Sequence, residues 1–260
     1  MTGDAADESE LLAAVERAEA AIRPALAEQL RSAVEDVGAV ASSLRAWTGA
    51  AGVAVDDAGD PEAAIERAAA RQASVLTNHV RYRSAVGDRP PSDLRTTPVT
   101  PFDGLDAPPA VENAVDSLAS KLADPPDRST DLIGARYADA LSADERRARG
   151  QFYTPPAVAR LVTEWALDGE AADDGDLPRV LDPAAGTGTF PLAAYERLRE
   201  RPPDADPDAV LSNLVAVDVD EVALHVAALR LSARADGRPV DAFDRRPCSF
   251  FDLEPGVDGG

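Results

Sequence analysis

The stretch Val180-Leu181-Asp182-Pro183-Ala184-Ala185-Gly186-Thr187-Gly188-Thr189-Phe190 constrains this chain more than any other. Two apolar β-formers run into a loop with two glycines, and a helical stretch from Leu192 to Leu198 follows. Strand, glycine turn and helix in that order present backbone N–H groups to a nucleotide-like ligand. The spacing Asp-Pro-x-x-Gly-x-Gly is not the Gly-x-Gly-x-x-Gly of dinucleotide enzymes, nor the Gly-Lys-Ser/Thr ending of a phosphate loop. No lysine or arginine lies between Asp182 and Tyr195, so a polyphosphate would lack a cation there. An acid at the strand end suits a cationic or hydroxyl-bearing ligand.

The rest of the chain reads in two characters. Up to about residue 142 it is helical. Leu11, Val15, Ala18 and Ile22 have 4-3-4 spacing, and Pro24 is expected to start a second helix carried by Leu26, Leu30, Val34, Val37, Leu44 and Trp47. Asp60-Pro61 is a helix start, a capping acid before a first-turn proline, and the pattern continues through His79 and Tyr82 to about Val86. Six prolines in 87–109 read as a linker, with short helices expected near 109–123 and 129–142. From about residue 150 the pattern becomes βα. A helix over 155–167 turns Val158, Leu161, Val162 and Trp165 inward. Val180-Leu181 is the first strand and 189–200 its helix, 201–208 a polar loop, 214–217 the second strand and 220–235 its helix. Cys248 to Phe251 is the candidate third strand. Such alternation predicts an α/β parallel sheet. The expected division is a helical region over 1–88, a Pro-rich linker and short helix over 89–128, and an α/β domain over 129–260.

Three segments, in order, carry a resemblance. Val180 to Phe190 resembles motif I of the N6-adenine DNA methyltransferases, the loop that cups S-adenosyl-L-methionine. Gly150-Gln151-Phe152-Tyr153-Thr154-Pro155-Pro156 resembles the segment before the first strand (motif X) in type I modification subunits and related type II enzymes. Leu214-Val215-Ala216-Val217-Asp218-Val219-Asp220 resembles motif II. The resemblance covers roughly 130–254. It implies the first half of a Rossmann-like methyltransferase sheet behind an N-terminal helical region.

The resemblance also implies site residues. Asp182 lies near the methionine amino group, within the loop Asp182, Pro183, Ala184, Gly186 and Gly188. Gly186 and Gly188 permit positive φ and close approach. Phe190 packs either near the cofactor or in the core. Asp218, at a strand end where α/β ligands bind, accepts both ribose hydroxyls, and Val219 flanks the adenine. As a helix cap, Asp220 fits better than Asp218. Tyr153, Thr154 and Pro155 contact the methionine part, though Thr154 and Pro155 also read as a helix entry. Motif III matches Cys248-Ser249-Phe250-Phe251-Asp252: either Ser249 or Asp252 meets the adenine amino group, and Phe250 or Phe251 stacks on the ring or lies in the core. His79, His225 and Cys248 read as packing residues.

Composition limits the partners. The chain has 260 residues, 47 acidic against 26 basic, for a net charge of −21. Lys121 is the only lysine. An acidic, lysine-starved surface suits a high-salt cytoplasm, so the acidity is a solvation trait that says little about DNA. Cys248 is alone, which excludes a disulfide framework and a cysteine metal cluster. No apolar run approaches membrane-spanning length, and Met1-Thr2-Gly3-Asp4 lacks a signal pattern. A cytoplasmic chain with no membrane partner is expected.

The family's Asn/Asp/Ser-Pro-Pro-Tyr/Phe element, which clamps a flipped adenine, does not occur after motif II. The expectation is therefore the cofactor-binding half of a restriction–modification adenine methyltransferase. Its DNA contact would come through the complete enzyme, with a complementing C-terminal chain or a specificity or restriction subunit as partner. The alternative is a remnant or split-enzyme subunit that binds cofactor or a partner protein and modifies nothing.

Overall fold

Leu11, Val15, Ala18, Ile22, Leu26 and Leu30 follow one another at three- and four-residue steps, and all are buried. That stripe holds α1 (Gly3–Asp36) together through Pro24, which lies inside the helix and does not start a new one. An interior proline costs about 3 kcal/mol. Burying Ile22, Leu26 and Leu30 returns roughly 1.5–3 kcal/mol each, so the helix continues. The break comes at Val37, itself exposed, before α2 (Gly38–Ala50).

The computed structural model describes residues 3–50, 60–87, 97–122, 133, 134, 137, 154–168, 177–200, 205–239 and 243–253. They divide into two compact units, Met1–Phe152 and Tyr153–Gly260.

In the first unit α1 packs on α3 (Pro61–Val86) and α4 (Pro109–Lys121). Asp60 caps α3 as its sequence requires, accepting the Glu62 N–H at 2.9 Å. Unlike α1, α3 buries polar groups: Arg71, Gln72, Ser74, Thr77, Asn78 and Arg81. Most buried polar groups find a partner. The Thr77 hydroxyl donates to Glu19 at 2.9 Å, and the Arg81 guanidinium lies 3.9 Å from the same carboxylate. Asn78 accepts the Gly134 N–H at 2.7 Å, while Arg71 sits 5.1 Å over the Tyr137 ring. His79 does pack against the interior; burial, then the charge of Arg83, pushes its imidazole down to about 4. The helix expected over 129–142 lies mostly outside the described residues.

The second unit is a parallel sheet of three strands among the described residues, β1 (Val180–Asp182), β2 (Leu214–Val217) and β3 (Asp244–Arg246), in the order β1-β2-β3. Leu181 stands opposite Val215, and Ala216 opposite Arg245. β2 is central, and its four residues are all buried. The helices are α5 (Pro156–Asp168), α6 (Thr189–Arg199), α7 (Pro207–Ser212) and α8 (Glu221–Arg234).

Four expectations need correction. The third strand is the charged Asp244–Arg246, while Phe250–Asp252 is a single 3-10 turn. An edge position leaves β3 half-buried, so charged side chains fit there and apolarity gives no signal. The loop expected over 201–208 gives way at Pro207 to α7. Asp206 accepts the Asp208 N–H at 3.4 Å with Pro207 in the first turn, the same acid–proline entry as α3. Third, α5 buries Ala159, Thr163 and Leu167, and its large apolar face is exposed: Val158, Leu161, Val162 and Trp165 (80 %). Small residues let α5 come close to α6, and that seam is the one the helix uses. Cys248, expected to be buried, is half-buried. No described helix is long and apolar enough to cross a membrane, and no group of metal-binding side chains occurs among the described residues.

Candidate ligand site at the carboxyl ends of β1 and β2

β1 ends at Asp182 and β2 just before Asp218. Parallel pairing sets these strand ends side by side, with Asp182 opposite Ala216. The loop from Pro183 to Gly188 then folds over the strand ends. Its N–H groups mostly turn back into the protein. Ala184 N–H donates to Asp182 Oδ1 at 3.1 Å, and Gly186 N–H to Asp218 Oδ2 at 2.7 Å. Ala185 N–H meets the Val217 carbonyl at 2.9 Å, and Gly188 N–H the Ala185 carbonyl at 2.8 Å. This departs from a loop that presents its donors to a ligand. Two carboxylates take the N–H groups that a phosphate takes in a phosphate loop, so the chemistry offered is anionic.

The two acids differ. Asp218 accepts with both oxygens, Oδ1 from Asp220 N–H at 2.8 Å and Oδ2 from Gly186. Asp220 caps α8 through the Ala223 N–H at 3.2 Å, as read from the sequence. Asp182 Oδ2 is buried without a hydrogen-bond partner. Burial raises the Asp182 carboxyl above the ordinary carboxylate range; the Ala184 N–H pulls it partway back, and the charge of Asp218 adds to the rise. A buried carboxylate oxygen with nothing to accept is costly, and an incoming cation or donor would relieve it.

The glycines serve different ends. Gly186 has φ +52°, with open space where a side chain would go. Gly188 has φ +83°, and a Cβ there would lie 2.7 Å from that of Ala227 on α8. Positive φ was expected at both, but the close approach at Gly188 is to a helix. Pro183 and Ala184 are exposed. Phe190 is half-buried and lines, with Val162, Leu181, Asp182 and Pro183, an apolar groove of about 280 Å³ between α5, α6 and β1.

Beyond β2, Val219 is exposed (40 %). Ser249 accepts the Phe251 N–H at 3.3 Å and so caps the turn that holds Asp252 exposed. Phe250 and Phe251 pack edge to face, 5.9 Å between centroids, and Phe251 is 93 % exposed, so neither is core. Thr154 is half-buried, and the Pro155 carbonyl accepts the first helical bonds, from Val158 and Ala159. Pro155 thus precedes the helix, and Pro156 takes the first helical position. Tyr153 lies outside the described residues.

Sequence reasoning missed Arg230. This α8 side chain is buried and donates from Nη1 to the Thr187 carbonyl at 2.8 Å. Its spacing of three from Ala227, on the same helix face, was the available signal.

Comparison with known proteins agrees with this architecture. A family model described as N-6 DNA Methylase matches residues 128–233. The type II methyltransferase M.MamI of Microbacterium ammoniaphilum is 30% identical over 148 residues, 54% of this chain and 41% of that protein. The type II methyltransferase M.XamI of Xanthomonas campestris pv. amaranthicola is 39% identical over 85 residues, 33% of this chain and 13% of that protein. The chain thus spans well under half the length of these relatives. Among solved structures, a chain of the cryoEM DrdV–DNA complex is similar in fold, with a TM-score of 0.60 and 17% identity over 95% of this chain and 26% of that one. Through residues 128–233, this chain is similar to the N-6 DNA methylase family, and the relatives it matches are type II methyltransferases.

Proposed function

We propose that this chain binds S-adenosyl-L-methionine in the loop between β1 and α6 and serves adenine-N6 methylation of DNA. The observation that carries the reading is the pair of acids at adjacent strand ends, one with a buried, unsatisfied oxygen and one holding the glycine loop. The residues fit the cofactor. Asp182 Oδ2 accepts its ammonium. Asp218, whose oxygens can each accept more than one donor, takes the ribose hydroxyls. Val219 and the exposed Phe250 and Phe251 offer apolar area for the purine. Ser249 already uses its acceptor on the Phe251 N–H, so Asp252 is the better acceptor for the purine amino group. Thr154 and Pro155, with Tyr153, take the methionine end, and Phe190 helps wall the groove beside Asp182. When bound, the cofactor supplies an electrophilic methyl group. The protein's part is to orient it, keep its ammonium paired and leave the loop's outer face open above Gly186.

DNA as substrate is supported by the family match and by the fold shared with a chain from a DNA complex. Within the 260 residues no Asn-Pro-Pro-Tyr follows Asp218. A flipped adenine would take its polar clamp from outside these 260 residues. A second reading is a subunit that binds cofactor or a partner protein only, which the acid pair and its loop would serve equally. Tritium-labelled cofactor in equilibrium dialysis at high salt tests the shared core of both readings. Saturable binding, competed by the demethylated product, is expected; none in the folded chain refutes it. Methyl transfer to adenine-containing DNA by these 260 residues alone would show that the adenine clamp lies within them.

A further inference from the structure

Arg230 is a charged side chain only 3% exposed, in the middle of α8, whose neighbours Leu229 and Leu231 are fully buried. Burying a guanidinium costs several kcal/mol unless its bonds are good, and an aliphatic side chain would fill the same space more cheaply. The position of its Nη1 shows what the charge does. It meets the Thr187 carbonyl at 2.8 Å, under the glycine loop.

The peptide between Thr187 and Gly188 is then held at both ends. Its carbonyl accepts from Arg230, and its N–H donates to the Ala185 carbonyl at 2.8 Å. One turn earlier on α8, Ala227 sits where a Gly188 side chain would go. The next carbonyl, of Gly188, accepts the Leu192 N–H at 2.9 Å and so starts α6. A single peptide plane thus sets the left-handed turn at Gly188, the height of the loop above the sheet and the start of the helix behind it. A hydrogen bond from a charged donor is about twice as strong as a neutral one.

We propose that Arg230 is a positioning residue for the glycine loop, acting through the Thr187–Gly188 peptide. It touches no ligand. It keeps Gly186 and its partner Asp218 in the arrangement that receives the cofactor, so its effect on affinity exceeds its effect on overall stability. The affinity part rests on the reading of this loop as a cofactor site; the loop-ordering part does not.

The test uses the full chain with Arg230→Met, Arg230→Gln and Arg230→Lys. Amide hydrogen exchange is followed at Gly186 and Gly188 and at Leu229 and Leu231, and S-adenosyl-L-methionine binding is measured by calorimetry. In Arg230→Met the loop amides should exchange about ten- to a hundredfold faster, the scale of losing a charged hydrogen bond, with Leu229 and Leu231 unchanged. Affinity should fall by a similar factor. Arg230→Lys should recover part of both, and Arg230→Gln less. Should Arg230→Met fail to fold, Arg230→Gln decides. Unchanged loop exchange in a folded variant overturns the proposal, as does a loss of protection spread equally along α8. If the unaltered chain binds no cofactor, the cofactor reading fails, and the exchange data alone judge Arg230.

Discussion

Asp218 Oδ2 accepts the Gly186 N–H at 2.7 Å, so the acid after the second strand holds the loop that follows the first. Its other oxygen accepts the Asp220 N–H at 2.8 Å, at the entrance to α8. The two sequence motifs are therefore joined by a direct hydrogen bond. Asp218 shapes the loop before any ligand arrives.

Gly188 answers to packing. Gly188→Ala would place a methyl 2.7 Å from the Ala227 side chain at φ +83°. Overpacking costs about 1–3 kcal/mol, and the left-handed backbone about 1–2 more. Urea denaturation should show a loss of that order. Ala227→Gly in the same chain should return part of it, because the nearest atom is gone while the Ala227 Cα remains at 3.1 Å. Full additivity of the two substitutions would contradict the contact.

Gly186 answers to the ligand side. At φ +52° with open space around it, asparagine is tolerated better than other residues. Gly186→Asn should change the unfolding free energy little, by under about 1 kcal/mol, and weaken cofactor binding about tenfold or more through the space it fills. Equal affinity in a folded Gly186→Asn chain would place the ligand elsewhere.

Asp182 predicts a pH effect of definite sign. Its carboxyl is raised by burial, so it protonates at a higher pH than an ordinary carboxylate. Only the ionised form pairs with an ammonium, so affinity should fall on acidification before ordinary carboxylates titrate. For stability the sign is opposite: with the folded value above the unfolded one, the ionised group costs stability at neutral pH, and protonation removes that cost. Asp182→Asn should then leave the melting temperature equal or higher, weaken binding and flatten its pH dependence. A lowered melting temperature with unchanged affinity would show that the carboxylate is purely structural.

The outer side of β1 makes a fourth case. Among the described residues β1 pairs only with β2, and Leu181 is 47% exposed. Trp165 stands exposed on α5, whereas Trp47 is buried. A polypeptide that pairs with the outer side of β1 should slow exchange of the Leu181 amide and shield Trp165 from acrylamide in a Trp47→Phe background. Strong Leu181 protection in the isolated monomer would mean that the edge is already covered.

The sequence patterns that proved legible were those in which one residue type does one job. Asp60-Pro61 and Asp220 read as caps and are caps. Leu214 to Val217 read as a strand and is the buried centre of the sheet. Illegible places were those where the neighbourhood decides. Pro24 signals a break until the burial of Ile22, Leu26 and Leu30 overrides it. The α5 pattern marks Val158, Leu161, Val162 and Trp165 as an inner face, yet the seam against α6 selects Ala159, Thr163 and Leu167. Asp244-Arg245-Arg246 forms a strand because β2 offers it an edge, which no local pattern announces. In the candidate site, both acids and both glycines stood out in sequence. That the acids hold the loop's own N–H groups, and that Arg230 braces it from behind, depended on contacts distant along the chain.

We propose that the acids at the ends of β1 and β2, with the loop they hold, receive S-adenosyl-L-methionine. Calorimetric titration of the cofactor into the unaltered chain and into Asp218→Ala, both in high salt, tests it most directly. One site per chain is predicted, with affinity lower by about 1–3 kcal/mol in Asp218→Ala, the scale of a lost charged hydrogen bond. No binding to the folded unaltered chain, or equal affinity in a folded Asp218→Ala chain, would contradict it.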